Sequence, residues 1–379
     1  MNSTSFNLYT KLIQLDSFNL VLLIFKLILI LTTICLNSIL ICIILFKVKK
    51  KTYSNFLFLS TTLADLAIGF TSQPFMTIYS IYDYWPYGDV SCIYWMITDY
   101  SSYSISIFSW LFISIQRYKQ ICSQSIINED LNVKNSLLII SIWFFSYLFW
   151  SLMVLPIVLT NENFSYECEY IFAFVYVIIA ELVSLIMPIL LIICINIMIY
   201  IELRNHIKRN SRNGIKNAIK FSSLSASLKK NARRLSLKRS SLNNNNNNDM
   251  RTTQFLNIPK AKTDNTRGSS SSLMGNQKRK SSIFSLKNYK LTKDRRAYIS
   301  LIAINTSLIV SWMLFMIVWP LKAYCGSECV SNILYDSSVW IIYSSSCTNS
   351  ILLITLNTEF HNSFKDVVRN LYKLGKNKK

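Results

Sequence analysis

The sequence predicts an all-α membrane protein, namely a bundle of seven transmembrane helices followed by a short amphipathic eighth helix. Hydrophobic residues make up 51% of the 379 residues, and the chain contains only seven Gly and six Pro. The hydrophobic residues come in runs of about twenty or more, which is the length that spans a bilayer. Charged residues fall mainly between these runs, as the loops of a membrane protein require.

The spans follow one another from residue 18 onward. The first covers 18–47, and the basic run KVKKK at 47–51 follows it. Because basic loops face the cytoplasm, we predict the N-terminus outside and the C-terminus inside. The further spans are predicted at 53–81, 89–122, 136–158, 170–202, 293–322 and 333–355.

These spans divide the chain into five segments. They are an extracellular N-terminus (1–17), spans one to five (18–202), a third cytoplasmic loop (203–291), spans six and seven (292–355), and an amphipathic helix with a cytoplasmic tail (356–379). Asn2 and Asn163 stand in glycosylation sequons that agree with an outside location. The cysteines in connecting or segment-end positions form an even set that can pair if they face the oxidising exterior: Cys92, Cys168, Cys325 and Cys329.

The third span carries two charges that need a reason to be there. Asp99 and Arg117 lie on one stretch without Pro or Gly, and their separation on a helix is about 27 Å along the axis. One helix would therefore hold a carboxylate near one membrane face and a guanidinium near the other. Because a charge inside a membrane is costly, each is predicted to be functional. Asp99, Tyr103 and Ser106 share one face of this helix.

The third cytoplasmic loop, residues 203–291, holds most of the positive charge. It contains 21 Lys and Arg against two acids, Asp249 and Asp264, within a chain of net charge +21. The basic charge is thus local, which argues against a nucleic-acid partner. Abundant Ser, Asn, Lys and Arg predict disorder here. The stretches RRLS (233–236), KRSS (238–241) and KRKSS (278–282) are candidate kinase sites, and the basic residues would attract anionic lipid.

The last segment predicts a helix that lies in the membrane interface. Its apolar residues form one stripe opposite Lys and Arg, and the stripe consists of Phe360, Phe364, Val367, Val368 and Leu371.

This order of features resembles the rhodopsin-like G-protein-coupled receptors, most closely the biogenic-amine branch that holds the muscarinic acetylcholine and histamine receptors. The resemblance covers all the spans and the final helix, but not the long loop. It rests on the joint order of short marks along the chain, which are Asn37, LADL (63–66), WPYG (85–88), Cys92, Trp95, Asp99–Tyr100, SIFS (106–109), QRY (116–118), Trp143, Cys168, Pro188, Trp312 and WIIYSSSCTN (340–349).

The resemblance implies that Asp99 binds the ammonium group of a small cationic, amine-like ligand. A carboxylate in a low-dielectric bundle gains the partner that it otherwise lacks, and aromatic faces attract cations. Tyr343 matches the tyrosine that hydrogen-bonds this aspartate. The other residues expected at the site are Tyr100, Tyr103, Glu181, Ser184, Trp312, Phe315, Met316 and Trp340.

Glu181 is a second acid within a span. On a regular helix it lies one turn before Ser184 and two turns before Pro188. A second buried acid would suit a ligand with two basic groups, such as histamine or a diamine. The alternatives are a pair with Lys322 and a position facing lipid-exposed solvent defects.

The resemblance implies further roles at other depths of the bundle. Arg117 and Tyr118 would couple to a heterotrimeric G protein, and kinases and arrestin would act at the third loop. Cys92 would pair with Cys168, and Cys325 with Cys329 as a small second loop. The residues that match an internal sodium site, or alternatively a buried hydrogen-bond network with water, are Asp65, Ser106, Ser346 and Asn349. No other cofactor is expected.

The chain also departs from the family pattern. Gln116 replaces the acid before Arg117, Leu314 replaces the kink proline of span six (although Pro320 follows), and NSILL at 349–353 replaces the NPxxY motif. Asn196 and Met316 replace a tyrosine and an asparagine. Since kink prolines and these tyrosines belong to the switching machinery, the departures put normal activation in doubt and leave the fold intact.

The leading hypothesis is a plasma-membrane amine receptor. Alternatives are a receptor for a peptide or other non-amine ligand, in which Asp99 is structural, and a receptor fold that signals weakly. A transporter or channel is disfavoured because no internal repeat or pair of broken helices is evident. An enzyme is disfavoured because the only histidines, His206 and His361, lie outside the spans.

Overall fold

The computed structural model describes residues 16–48, 52–82, 84–122, 133–160, 168, 174–246 and 298–376. These residues are mostly helical and contain no strand, which confirms the all-α class. The uninterrupted helices are α3 (Asp89–Cys122), α4 (Val133–Thr160), α6 (298–325), α7 (Asn332–Leu356) and α8 (Thr358–Lys376).

Three helices contain one turn of π-helix. In α1 it ends the helix (Ser17–Cys42, then Ile43–Lys47), in α2 it lies inside (Tyr53–Ala67, Ile68–Ser72, Gln73–Tyr82), and in α5 it also lies inside (Phe174–Glu181, Leu182–Ile186, Met187–Asn246). A π turn adds one residue to a helical turn, so residues on its two sides no longer share the faces that regular spacing predicts.

Five of the described helices are long and apolar enough to cross a membrane, namely α1, α4, α5, α6 and α7. Large apolar side chains on their outer faces are exposed, for example Phe18, Leu31, Phe144 and Leu152. Such a surface suits lipid rather than water. In contrast, α3 carries many Ser and Tyr residues, and it packs between α2 and α4 with most of its length buried. Crossing by α2 and α3 stays a prediction.

The described residues up to Tyr200, together with those from 298 onward, form one compact unit. Within it, Gly69 of α2 allows a close approach to α1, since a Cβ atom there would lie 3.0 Å from Cγ1 of Ile34 and 3.2 Å from Cγ2 of Thr33. Asn37 of α1 accepts a 2.6 Å hydrogen bond at Oδ1 from Ser350 Oγ of α7. These contacts hold α1, α2 and α7 together.

Residues 201–295 belong to a second unit. The disorder predicted from residue 203 is wrong for residues 203–246, which are helical. Lys, Arg, Ala and Leu are good helix formers, this stretch has no Pro, and Glu202 lies 3.3 Å from Nε2 of His206 one turn later. Residues 247–291, which include KRKSS, lie outside the described residues.

The described part of the bundle contains two disulfides. Cys92 at the start of α3 pairs with Cys168, and Cys325 at the end of α6 pairs with Cys329. Both predicted pairings are therefore found. The first one ties the segment between α4 and α5 to α3, and we call this end of the bundle the disulfide end. The sequon residues Asn2 and Asn163 lie outside the described residues.

Candidate functional site

A cavity lies among α3, α4, α5, α6 and α7. Seven of the residues predicted from the sequence lie in its wall: Asp99, Tyr100, Tyr103, Ser184, Trp312, Phe315 and Tyr343. Seven others that the sequence analysis did not single out complete the described wall, and they are Ser104, Trp150, Leu185, Trp319, Tyr335, Val339 and Ile342.

Asp99 is the only acid among the described residues that line this wall. Its side chain is 5% exposed, and the hydroxyl of Tyr343, which is fully buried, lies 3.4 Å from Oδ2 as a donor. The contact predicted between these two residues is thus present. A buried carboxylate needs such polar contacts, or a cation, to offset the loss of water.

Aromatic rings share the cavity wall with the Asp99 carboxylate. The Tyr103 ring contacts Trp312 edge-on at 5.0 Å between centroids and stacks on Tyr343 at 6.1 Å. These rings come from α3, α6 and α7, so three helices each place an aromatic ring in the wall that also holds Asp99. Aromatic faces attract a cation when it is removed from water.

A second group of rings forms a stack across the cavity. Tyr100 of α3 lies between Trp150 of α4, at 4.3 Å, and Trp319 of α6, at 5.6 Å, and Trp319 in turn stacks on Phe315 at 5.1 Å. Trp150 is held in place because its Nε1 donates a 2.7 Å hydrogen bond to Ser104 Oγ. This stack makes much of the wall apolar and aromatic.

Three predicted ligand-binding residues do not lie in the described wall: Glu181, Met316 and Trp340. Glu181 precedes the π turn of α5, which moves it off the face that regular spacing assigns. Met316 is half-buried between the wall residue Phe315 and the exposed Ile317. Trp340 instead faces α1, with the Nζ atom of Lys26 4.9 Å from its ring centroid.

Spacing alone could have identified several of the missed residues. Trp319 follows Trp312 by two turns and Phe315 by one turn, so the three share one helix face. Tyr335 and Val339 precede Tyr343 by two turns and one turn in the same way. The signal for Trp150 is weaker, because only the packing of α4 against α3 brings it to the site.

A polar group lies deeper in the bundle around Asp65 of α2, which is 3% exposed. Its carboxylate faces the side chains of Ser346 and Asn349 on α7. Among the described residues, Ser106 Oγ and Asn349 Oδ1 are buried and have no hydrogen-bond partner. These oxygen atoms come from three helices, and some of them have no hydrogen-bond partner. They could coordinate a hard cation such as sodium, and they could equally bind water.

At the end opposite the disulfide end, Arg117 and Tyr118 lie half-buried near the end of α3. Arg117 Nη1 donates a 2.9 Å hydrogen bond to Gln120 Oε1, one turn later on the same helix. Helix α6 is joined here to its neighbours: Asn305 donates to Ser114 Oγ of α3 at 3.2 Å, and Tyr298 to the Asn196 carbonyl of α5 at 3.2 Å.

The sequence model of the family described as "7 transmembrane receptor (rhodopsin family)" matches residues 36–352 of the chain. The chain therefore belongs to the rhodopsin family of seven-transmembrane, G-protein-coupled receptors. Membership confirms the resemblance inferred from the sequence and the prediction that the protein is not an enzyme.

Several known receptors are similar to parts of the chain. They include 5-hydroxytryptamine receptor 1 of Aplysia californica, 31% identical over 142 residues, which are 37% of this chain and 31% of that receptor. Muscarinic acetylcholine receptor M3 of Gallus gallus is 33% identical over 116 residues (30% of this chain, 18% of that receptor). The M3 receptor of Sus scrofa is 34% identical over 116 residues (30% and 20%). The matched segments thus span under a third of these relatives.

Proposed function

We propose that the protein is a plasma-membrane receptor for a small cationic, amine-like ligand and that it couples to a heterotrimeric G protein. The observation that carries this proposal is Asp99, a buried acid in the wall of an aromatic cavity, with the Tyr343 hydroxyl 3.4 Å from its carboxylate. A cationic ligand would neutralise the carboxylate where water cannot.

The rings around Asp99 support a cation over a neutral or anionic ligand. Tyr103, Trp312 and Tyr343 present aromatic faces and edges within the same wall, and cation–π attraction is strongest when the cation is desolvated. The similar receptors named above are receptors for 5-hydroxytryptamine and acetylcholine, which are both cationic amines or ammonium compounds. A peptide ligand is the less supported alternative, because these rings enclose a compact site.

Asp65, Ser106, Ser346 and Asn349 are proposed to hold a sodium ion. The buried carboxylate of Asp65 faces Ser346 and Asn349. Ser106 Oγ and Asn349 Oδ1 are buried without a hydrogen-bond partner among the described residues, which supports this assignment over an apolar core. An ion there would supply positive charge that offsets the buried acid and would join α2, α3 and α7.

The G protein is proposed to bind the end of the bundle that carries Arg117 and Tyr118. The N-terminus then lies outside and the C-terminus inside, with α8 in the inner interface. The exposed Val368 and the basic residues Arg369 and Lys373 of α8 support contact with lipid. Kinases and arrestin are proposed partners of the Ser-rich basic segment within residues 203–291.

A second candidate function is a receptor that binds ligand yet signals weakly, and specific contacts between helices favour it. Helix α7 runs without interruption through the position of the family's proline, where Ser350 instead donates to Asn37. Helix α6 is hydrogen-bonded to α3 and α5. Such contacts stabilise one arrangement of the helices against a switch to another.

The test is expression of the full chain in cells, with a panel of amines and with calcium and cyclic-AMP readouts. Wild type is compared with Asp99→Asn and with Tyr343→Phe, which keeps the ring and removes only the hydroxyl. We expect the response to vanish in the first variant and to weaken in the second at equal surface display. A response that persists in Asp99→Asn would rule out the amine site. Ligand binding without a cellular response would support the second candidate function, a receptor that binds ligand yet signals weakly.

A further inference from the structure

Lys26 lies inside the apolar stretch of α1, well after the helix begins at Ser17. At about 1.5 Å per residue it is roughly 14 Å along the axis from that end. Its ammonium group faces α7, where Nζ lies 4.9 Å from the centroid of the Trp340 ring. The carboxylate of Asp336, one turn earlier on α7, interacts electrostatically with the same ammonium. The Lys26 side chain therefore links α1 to α7.

Trp340 connects this lysine to the cavity. Its ring, 8% exposed, contacts the fully buried Tyr343 edge-on, with 5.3 Å between centroids and an interplanar angle of 84°. Gln73 of α2 also holds Tyr343, because Nε2 donates to its backbone carbonyl at 3.2 Å. The Tyr343 hydroxyl then reaches the ligand site, where it contacts Asp99.

We propose that Lys26 is a positioning residue for the ligand site: it holds Trp340 in place, and Trp340 fixes the ring of Tyr343 so that its hydroxyl stays on Asp99. The contacts run without a gap from α1 through α7 to α3. The proposal rests on the proposed function in one respect, since it takes Asp99 to be the anchor of the ligand.

Asp336 makes this arrangement compatible with a cationic ligand. A lone positive charge on α1 would repel a cation that enters the bundle, and this repulsion is weakly screened inside a membrane protein. The negative charge of Asp336 offsets part of the charge of Lys26, so the lysine can hold Trp340 with less net charge beside the site. The pair, rather than the lysine alone, is therefore the unit to alter in an experiment.

The test uses the purified full chain and the double variant Lys26→Met/Asp336→Asn, which removes both charges and preserves the local balance. Lys26→Arg keeps the cation, and Lys322→Met is the matched control. Lys322 is a lysine of α6 that bonds Ser327 and Asn332. The probe is tetramethylammonium, whose apparent affinity follows from the rise in melting temperature with its concentration.

We expect the double variant to weaken tetramethylammonium binding by about two- to thirtyfold, the range that a desolvated cation–π contact corresponds to. Lys26→Arg and Lys322→Met should stay within about twofold of wild type, which is below a typical single-contact effect. Combined with Tyr343→Phe, the double variant should add little further loss, because both changes act on one hydroxyl. Full additivity of the two losses would overturn the proposal.

Failure of the proposed function gives a different result. If tetramethylammonium stabilises wild type and Asp99→Asn equally, Asp99 is not the cation anchor. The ligand-free melting temperatures still decide the positioning role, because the double variant and Tyr343→Phe should be non-additive there too. If the double variant does not fold, Trp340→Phe replaces it, since the smaller ring keeps the packing and weakens the contact with Lys26.

Discussion

Asn305 of α6 donates a hydrogen bond from Nδ2 to Ser114 Oγ of α3 at 3.2 Å, and both side chains are buried. Two further bonds join the same part of α6 to α5 and α7, from Tyr298 to the Asn196 carbonyl and from Ser300 to the Leu356 carbonyl. Gln116 stands where the family has the acid that pairs with its arginine. In this chain, neutral hydrogen bonds join α6 to α3, α5 and α7.

Asn305→Leu should raise ligand-independent G-protein signalling. A buried hydrogen bond contributes about 1 kcal/mol, so we expect roughly a fivefold shift away from the helix arrangement that this bond stabilises. The measurement is basal calcium or cyclic-AMP output at equal surface display. Ser311→Ala is the matched control, because the Ser311 hydroxyl donates to a carbonyl of its own helix. Equal output from both variants would contradict this role for Asn305.

Trp319→Ala should change ligand selectivity toward larger amines. Removal of this ring ends the stack on Tyr100 and enlarges the cavity. We expect the affinity for tryptamine relative to tetramethylammonium to rise by about tenfold, as one added apolar group in a pocket allows. Competition binding measures the ratio. Trp143→Phe, which alters a tryptophan bonded to Ser60 outside the cavity, should leave the ratio unchanged.

Glu181→Gln should have little effect on a ligand with one positive charge, because Glu181 does not lie in the described cavity wall. The side chain is 2% exposed, and Oε1 has no hydrogen-bond partner among the described residues. An amide is less costly to bury than a carboxyl that ionises. The melting temperature should therefore rise by a few degrees, which corresponds to about 1 kcal/mol in the free energy of unfolding. A loss of monoamine affinity of about tenfold would instead place Glu181 at the ligand.

Gly69→Ala should destabilise the bundle. The new Cβ would approach Ile34 and Thr33 of α1 to 3.0 and 3.2 Å, and overpacking of this kind costs about 1–3 kcal/mol. A lower melting temperature of the purified chain is the expected result. Adding Ile34→Ala removes the closest atom and should recover part of the loss. A melting temperature unchanged by Gly69→Ala would show that α1 and α2 separate at little cost.

Asp65→Asn should abolish a sodium effect on stability. If Asp65 and its neighbours bind sodium, wild type should melt at a higher temperature in sodium chloride than in potassium chloride of the same ionic strength. The difference should vanish in Asp65→Asn and shrink in Ser106→Ala. If the difference survives in Asp65→Asn, the unused oxygens around Asp65 serve water or another group.

The amino-acid sequence by itself determined the helical class, the five helices that are long and apolar enough to cross a membrane, the likeness to a receptor family and the choice of Asp99, which lies in the cavity wall. Hydropathy, charge between spans and helical spacing are local properties, and a carboxylate inside an apolar helix is visible without any neighbour. The pairing of Cys92 with Cys168 and the contact of Tyr343 with Asp99 were predicted because the order of motifs along the chain resembles that of the receptor family.

Only the tertiary structure decided which side chains meet. The π turn in α5 moved Glu181 off the face predicted for it, the packing of α1 against α7 turned Trp340 toward Lys26, and the approach of α4 and α6 to α3 formed the ring stack on Tyr100. The helix over residues 203–246 was also missed. Contacts between helices depend on their relative rotation and distance, and neither quantity is encoded in the spacing within a single helix.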